Sequence, residues 1–174
     1  DVCSADDPSE RVATSMPSAF VRRIEEDMNF AQAVNVAVNS IEGATYVLIC
    51  HDDVILGPGA IAAMAEEAFR SNASIVGPKV TDAAKEGRLL EVGGMIDHFG
   101  VPFSGIEPDE VDQGQHDGVR DVFFVSSATM LVRADLFRAL GGFDVECFPG
   151  AEDIDLAWRA HLVGARVLVQ PDAV

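Results

Sequence analysis

Two pairs of adjacent carboxylates, about a hundred residues apart, are the side chains of this sequence best suited to chemistry. Asp52-Asp53 follows the apolar run Tyr46-Val47-Leu48-Ile49-Cys50-His51, and Glu152-Asp153 opens the segment that runs to Trp158-Arg159. Neighbouring carboxylates repel unless a proton or a cation resolves the conflict. Oxygen ligands of this kind suit a hard divalent cation. The second pair suits another task, because a carboxylate at a helix start beside a cleft can take a proton from an attacking hydroxyl. Each pair also has a plain structural reading. Asp52-Asp53 fits a strand-to-loop turn with solvated acids, and Glu152-Asp153 fits a helix start, where acids complement the macrodipole and cap free N–H groups. Asp155 and Arg159, spaced i, i+4, make an ordinary surface ion pair by the same logic. Asn35 is a polar residue in mid-helix, a position that calls for a specific hydrogen bond or for solvent.

The elements that must position these groups alternate between strand and helix. Apolar residues at Phe20, Ile24, Met28, Ala31, Val34 and Val38 predict a helix from Ser18 to Ser40. Thr45 to His51 is a strand, read as a buried parallel one with Cys50 packed inside, delivering charge to its carboxyl edge. In open α/β sheets that edge is where ligands bind. Pro58 introduces a helix over Ala60 to Arg70, and Ser74 to Val80 is a strand whose Pro78 belongs at an edge or an end. Thr81 to Arg120 reads as hairpin fragments and an acidic, mobile loop from Glu107 to Asp117. Asp121 to Arg133 reads as one long strand region, and Ala134 to Leu140 as a short helix stopped by Gly141-Gly142. A helix over Ile154 to Val163 feeds a last strand at Arg166 to Val169. The alternation predicts an α/β layered fold.

With 174 residues and 48% hydrophobic composition, the chain can build one domain with a real core. Acids outnumber bases 29 to 12, for a formal charge of −17. That field repels phosphate backbones and argues against a nucleic-acid partner. It also means that an anionic nucleotide ligand needs a cation to neutralise the site. Cys3, Cys50 and Cys147 share no metal-ligand spacing and fit a reducing compartment. No run approaches the ~20 apolar residues of a membrane span, and no charged-then-apolar leader opens the sequence. Residue 1 is not Met and the sequence stops just after a strand, so the expectation is a single domain over 1–174, incomplete at both ends.

Taken in order, the motifs resemble those of the family 2 glycosyltransferases. Asp1-Val2-Cys3-Ser4-Ala5-Asp6 is similar to the family's D-x-x-S-x-D segment. Asn29 to Asn35 is similar to its G-F-x-x-A-x-N helix, and His51-Asp52-Asp53 stands at its D-x-D signature. Val125 to Arg133 resembles the v-x-G-a-x-m-l-i-R strand, Gly141 to Asp144 the G-G-F-D turn, and Glu152 to Arg159 the E-D-x-D-L-x-x-R helix. His51 replaces the first Asp of the signature, Asn29 the usual Gly, and Ser127 the Gly before the apolar strand.

The resemblance implies a GT-A fold with a mostly parallel central sheet, lacking its first strand, and metal-dependent inverting transfer from a UDP- or GDP-linked sugar. By the same resemblance Asp1 meets the nucleobase, and Asn29 and Asn35 belong to the helix facing the nucleotide. Asp52 meets the ribose or the metal, Asp53 ligates Mg²⁺ or Mn²⁺, and Asp153 is the general base. Relatives of this kind act on saccharide or lipid-linked acceptors at the cytoplasmic face of a membrane. That implies a cytoplasmic location, with membrane association through parts outside this sequence. A non-catalytic GT-A-like module, a sugar-binding or scaffold domain, is the alternative. A sugar nucleotidyltransferase is disfavoured because no Gly-rich loop bearing Lys or Arg is present to cradle a triphosphate.

Overall fold

The computed structural model describes residues 1–147 and 149–174. In chain order the helices are α1 (Ser9–Ser15), α2 (Phe30–Asn39), α3 (Ala60–Ser71), α4 (Ala134–Ala139) and α5 (Glu152–Leu162). The strands are β1 (Tyr46–Cys50), β2 (Ile75–Pro78), β3 (Val80–Thr81), β4 (Leu89–Glu91), β5 (Met95–Ile96), β6 (Pro102–Phe103), β7 (Arg120–Asp121), β8 (Thr129–Arg133) and β9 (Val167–Gln170). Five of them form the central sheet in the order β1-β8-β2-β9-β7, and β3-β4 and β5-β6 pair as small hairpins.

The α/β expectation holds, but the sheet is mixed where a mostly parallel one was expected. Of the neighbouring pairs only β2 and β9 run parallel, and β1 lies antiparallel to β8 along its whole length, Tyr46 opposite Arg133 and Cys50 opposite Thr129. Direction is not written in an apolar run, because a strand covered on both faces reads the same with either kind of neighbour. Cys50, expected inside, is exposed at the strand's end.

Side chains alternate across the sheet and build a core on each face. Val47, Ile49, Ile75, Met130, Val132, Val167 and Val169 point to one face, where Ala31 and Val38 of α2, Phe137 of α4, and Leu156 and Ala160 of α5 cover them. Leu48, Val76, Leu131 and Leu168 point to the other and meet Ala60, Met64 and Ala68 of α3. Burying a side chain such as Met64, Ile75 or Leu168, all fully buried, contributes about 2 kcal/mol each.

Three other expectations change. The helix read from Ser18 begins only at Phe30, where Asn29 and Gln32 form a reciprocal capping box. Upstream, Ile24 bridges Val2 in parallel, so the regular spacing of Phe20, Ile24 and Met28 serves an extended segment instead. Asp121 to Arg133 is not one strand, because the chain turns at Ser126, whose carbonyl accepts from the Thr129 N–H at 3.2 Å. The acidic loop is clasped: Lys79, 4% exposed, donates to Asp112 at 2.8 Å and to Asp117 at 2.5 Å. Pro78, by contrast, ends β2 as expected.

Candidate active site

β1 carries His51-Asp52-Asp53 to the edge of the sheet where β8 begins. The His51 N–H donates to the Ala128 carbonyl at 2.9 Å. One residue earlier on the same loop, the Ser127 N–H donates to Asp153 Oδ2 at 3.1 Å. Adjacent residues, Ser127 and Ala128, thus tie together the two carboxylate motifs that lie about a hundred residues apart in sequence. This juxtaposition is what the site is built on.

Asp52 and Asp53 are exposed, and neither takes a hydrogen bond or an ion pair among the described residues. His51 packs edge-on against Phe30, ring centroids 4.7 Å apart, and its Nε2 is buried without a partner. Asp52 shares a cleft of about 710 Å³ with Asp1, Asp6, Phe20, Arg11 and Arg22. The Asp1 carboxylate is 7% exposed and lies 3.3 Å from Arg23 Nε. The Arg11 and Arg22 guanidiniums make no hydrogen bond or ion pair among the described residues, in a chain where acids outnumber bases 29 to 12. Their charge faces the cleft unspent.

Asp153 sits in the first turn of α5 and is 8% exposed. Its Oδ1 accepts from the Ile154 N–H at 2.7 Å. Burial pushes its carboxyl above the usual carboxylate range, the amides of Ser127 and Ile154 oppose that, and the charge of Glu152 adds to it; the net direction is up. Glu91, at the end of β4, accepts from the Ser126 N–H at 2.8 Å through Oε1. Burial raises it too, and the Asp153 charge adds to the rise. The sequence reading missed Glu91. Its only signal was an acid closing the short apolar run Leu89-Leu90.

The turn Gly141 to Asp144 supports α5 from below. Asn35 brackets Phe143 with two bonds, donating from Nδ2 to its carbonyl at 2.8 Å and accepting its N–H at 2.9 Å. Gly142 has φ +76°, and a Cβ there would meet Asn35 Oδ1 at 2.2 Å, so no other residue fits without displacing that bracket. Arg159 pairs with Asp155 and also donates to the carbonyls of Leu140 at 2.8 Å and Gly142 at 3.0 Å. The Asp155–Arg159 pair is therefore more than a surface ion pair, since it joins α5 to the turn.

Of the residues singled out from sequence, Asp1 and Asp52 line one cleft, Asp53 follows, and Asp153 is tied to the same edge through the Ser127 N–H and the neighbouring Ala128 carbonyl. Asn29 and Asn35 are placed differently. Asn29 caps α2 and reaches the Val145 carbonyl, while Asn35 lines a separate cleft of about 360 Å³ beside the Phe143 turn.

Residues 9–174 match the family described as Glycosyltransferase like family 2. The chain belongs to this glycosyltransferase family. The domain is 32% identical over 139 residues to the N-acetylglucosaminyl-diphospho-decaprenol L-rhamnosyltransferase of Mycobacterium tuberculosis, covering 74% of this chain and 45% of that protein. It is 26% identical over 149 residues to the O-antigen biosynthesis protein RfbC of Myxococcus xanthus, covering 83% of this chain and 12% of that one. The glycosyltransferase domain thus spans less than half the length of either relative. Its fold superposes on the crystal structure of GalNAc-T7 with UDP, GalNAc and Mn²⁺ at a TM-score of 0.74, with 13% identity over 95% of this chain and 33% of that one. S. aureus TarS 1-349 follows at 0.67, with 18% identity over 98% of this chain and 48% of that one. The GT-A fold is shared. Among the described residues, no helix is long and apolar enough to cross a membrane.

Proposed function

We propose that this domain transfers a sugar, with inversion, from a nucleoside-diphosphate donor to an acceptor hydroxyl, with a divalent cation as cofactor. The observation that carries the reading is the pair of neighbouring residues Ser127 and Ala128, whose N–H and C=O respectively bring the buried Asp153 and the exposed Asp52-Asp53 pair to one sheet edge. An acidic pair with no partner is what a cation site needs before it is filled. Among the described residues no three His, Cys, Asp or Glu side chains converge on a common point. Mg²⁺ is commonly bound through one or two carboxylates, with water and substrate phosphate completing the shell, so the Asp52-Asp53 pair is enough as the protein's share of the ligands. Asp53 and Asp52 would hold the ion. When bound, it neutralises the diphosphate and stabilises it as a leaving group.

The protein's own groups supply the rest. Asp1 sits where a nucleobase donor could be bonded, and Arg11 and Arg22 give the acidic cleft positive charge for an anionic ligand. Asp153 takes the proton of the acceptor hydroxyl as its oxygen attacks the anomeric carbon from the face opposite the diphosphate. The new C–O bond forms as the bond to the diphosphate breaks, and that electron pair leaves on phosphate oxygen. One displacement inverts the anomeric centre, and no covalent enzyme intermediate is required. Asn29 and Asn35 act at one remove, through the cap of α2 and the Phe143 turn.

The relatives suggest the wider setting. One is named for rhamnosyl transfer to a decaprenyl-linked diphosphosugar and another for O-antigen biosynthesis, so a lipid-linked or polysaccharide acceptor of the cell envelope, met at the inner face of a membrane, is the proposed substrate. The test is to incubate the full-length protein with a panel of UDP-, GDP- and dTDP-sugars and Mn²⁺, alongside Asp153→Asn. Consumption of one donor by the wild type, reduced by about 10²–10⁴ in the variant, is the expected result. A full-length protein that binds and consumes none of them sinks the reading.

A further inference from the structure

Glu91 is a partly buried acid at the active-site edge that the reaction above leaves without a task. Its Oε1 grips the Ser126 N–H at 2.8 Å, and the next amide, Ser127, is gripped by Asp153 at 3.1 Å. The loop between them is itself closed, because Ser126 Oγ accepts from the Ala128 N–H at 3.1 Å. We propose that Glu91 is a positioning residue for sugar transfer: it holds the Ser126-Ser127 loop in the shape that seats Asp153. This rests on the reading of Asp153 as the proton acceptor.

The mounting of Glu91 is rigid. Just beyond it, Gly94 exchanges backbone bonds with the segment before β8, donating to the Phe124 carbonyl at 2.9 Å and accepting from Phe123 at 2.8 Å. A Cβ on Gly94 would lie 2.2 Å from the Phe124 ring, so that ring packs directly on the glycine and leaves no room for a side chain there. Arg120 adds a bond to the Val92 carbonyl at 2.8 Å.

The distinguishing substitution is Glu91→Gln, whose amide oxygen can still accept from Ser126 while the charge is gone. In the full-length protein, donor turnover of Glu91→Gln is expected to stay within about threefold of wild type, because the bond to the Ser126 N–H survives. Glu91→Ala, which also removes the grip on the loop, should lower kcat at least tenfold with the KM for donor little changed. Binding of UDP with Mn²⁺, measured on each variant, should stay within about twofold of wild type, which separates this proposal from a failure of the donor site. Full turnover in Glu91→Ala, or a loss in Glu91→Gln as large as in Glu91→Ala, overturns the positioning role. A wild type that turns over no donor refutes the wider reading and this proposal with it, whereas an active wild type with an equally active Glu91→Ala refutes this proposal alone.

Discussion

At the scale of single residues, Asp153 and Asp53 divide the chemistry by environment. Asp153 is buried, beside a second acid, and its carboxyl lies above the usual range. A folded state that holds this proton more tightly than the unfolded chain loses stability as pH rises from the ordinary 3.8 through the raised folded value. Asp153→Asn removes that cost, so the Tm of the variant relative to wild type should increase as pH rises above 3.8 and level off past the folded midpoint, read by thermal melts across that range. Donor turnover in the wild type should fall on the acid side of the same folded midpoint, where the base is protonated. Asp53 is the opposite case: exposed and unpartnered, it contributes little to folding. Asp53→Ala should leave Tm within about one degree of wild type, the usual effect of a surface substitution, yet abolish the response of nucleotide binding to Mn²⁺.

At the scale of elements, the site depends on parts that never touch substrate. Phe143, 2% exposed, packs edge-on against Phe137 with centroids 5.3 Å apart, and Asn35 holds its backbone at both ends. Asn35→Ala strands a part-buried N–H and carbonyl and should cost about 2 kcal/mol in urea denaturation; a loss under about half a kcal/mol would mean the turn holds without it. Much of this scale was legible in sequence. Pro58 and Gly141-Gly142 marked the start of α3 and the end of α4, because the residues that begin and stop a helix act locally. The capping box of Asn29 and Gln32 was also there to be read, but the even spacing of Phe20, Ile24 and Met28 masked it. Strand direction, the break at Ser126 and the role of Glu91 were not legible. Each is decided by a contact between distant segments, and the Glu91–Ser126 bond spans 35 residues. The acidic loop looked mobile for the same reason, since its anchor, Lys79, lies 33 residues before Asp112.

At the scale of the whole molecule, the chain carries a charge of −17 and proposes to bind an anion. Self-repulsion of that size means that Tm should rise when ionic strength goes from about 10 to about 150 mM, as screening shortens the reach of the field. The Lys79 clasp works against the repulsion locally. Burial would pull Lys79 down, but bonds and charge from Asp112 and Asp117 outweigh it, and the net direction is up from 10.5. Its contribution is present below 10.5 and is lost as pH rises through the folded value. The bond from Lys79 and the Gly114 amide depress Asp112, so its part is lost as pH falls below 3.8. The central claim is that the sheet edge at Asp52-Asp53 binds a nucleoside diphosphate through a divalent cation. Titration calorimetry of UDP and of GDP, with and without Mn²⁺, against the wild-type protein and Asp53→Ala tests it most directly. Binding of one nucleotide that requires Mn²⁺ and disappears in Asp53→Ala is the predicted result. Metal-dependent binding that survives the substitution, or no binding to the full-length wild type, would contradict it.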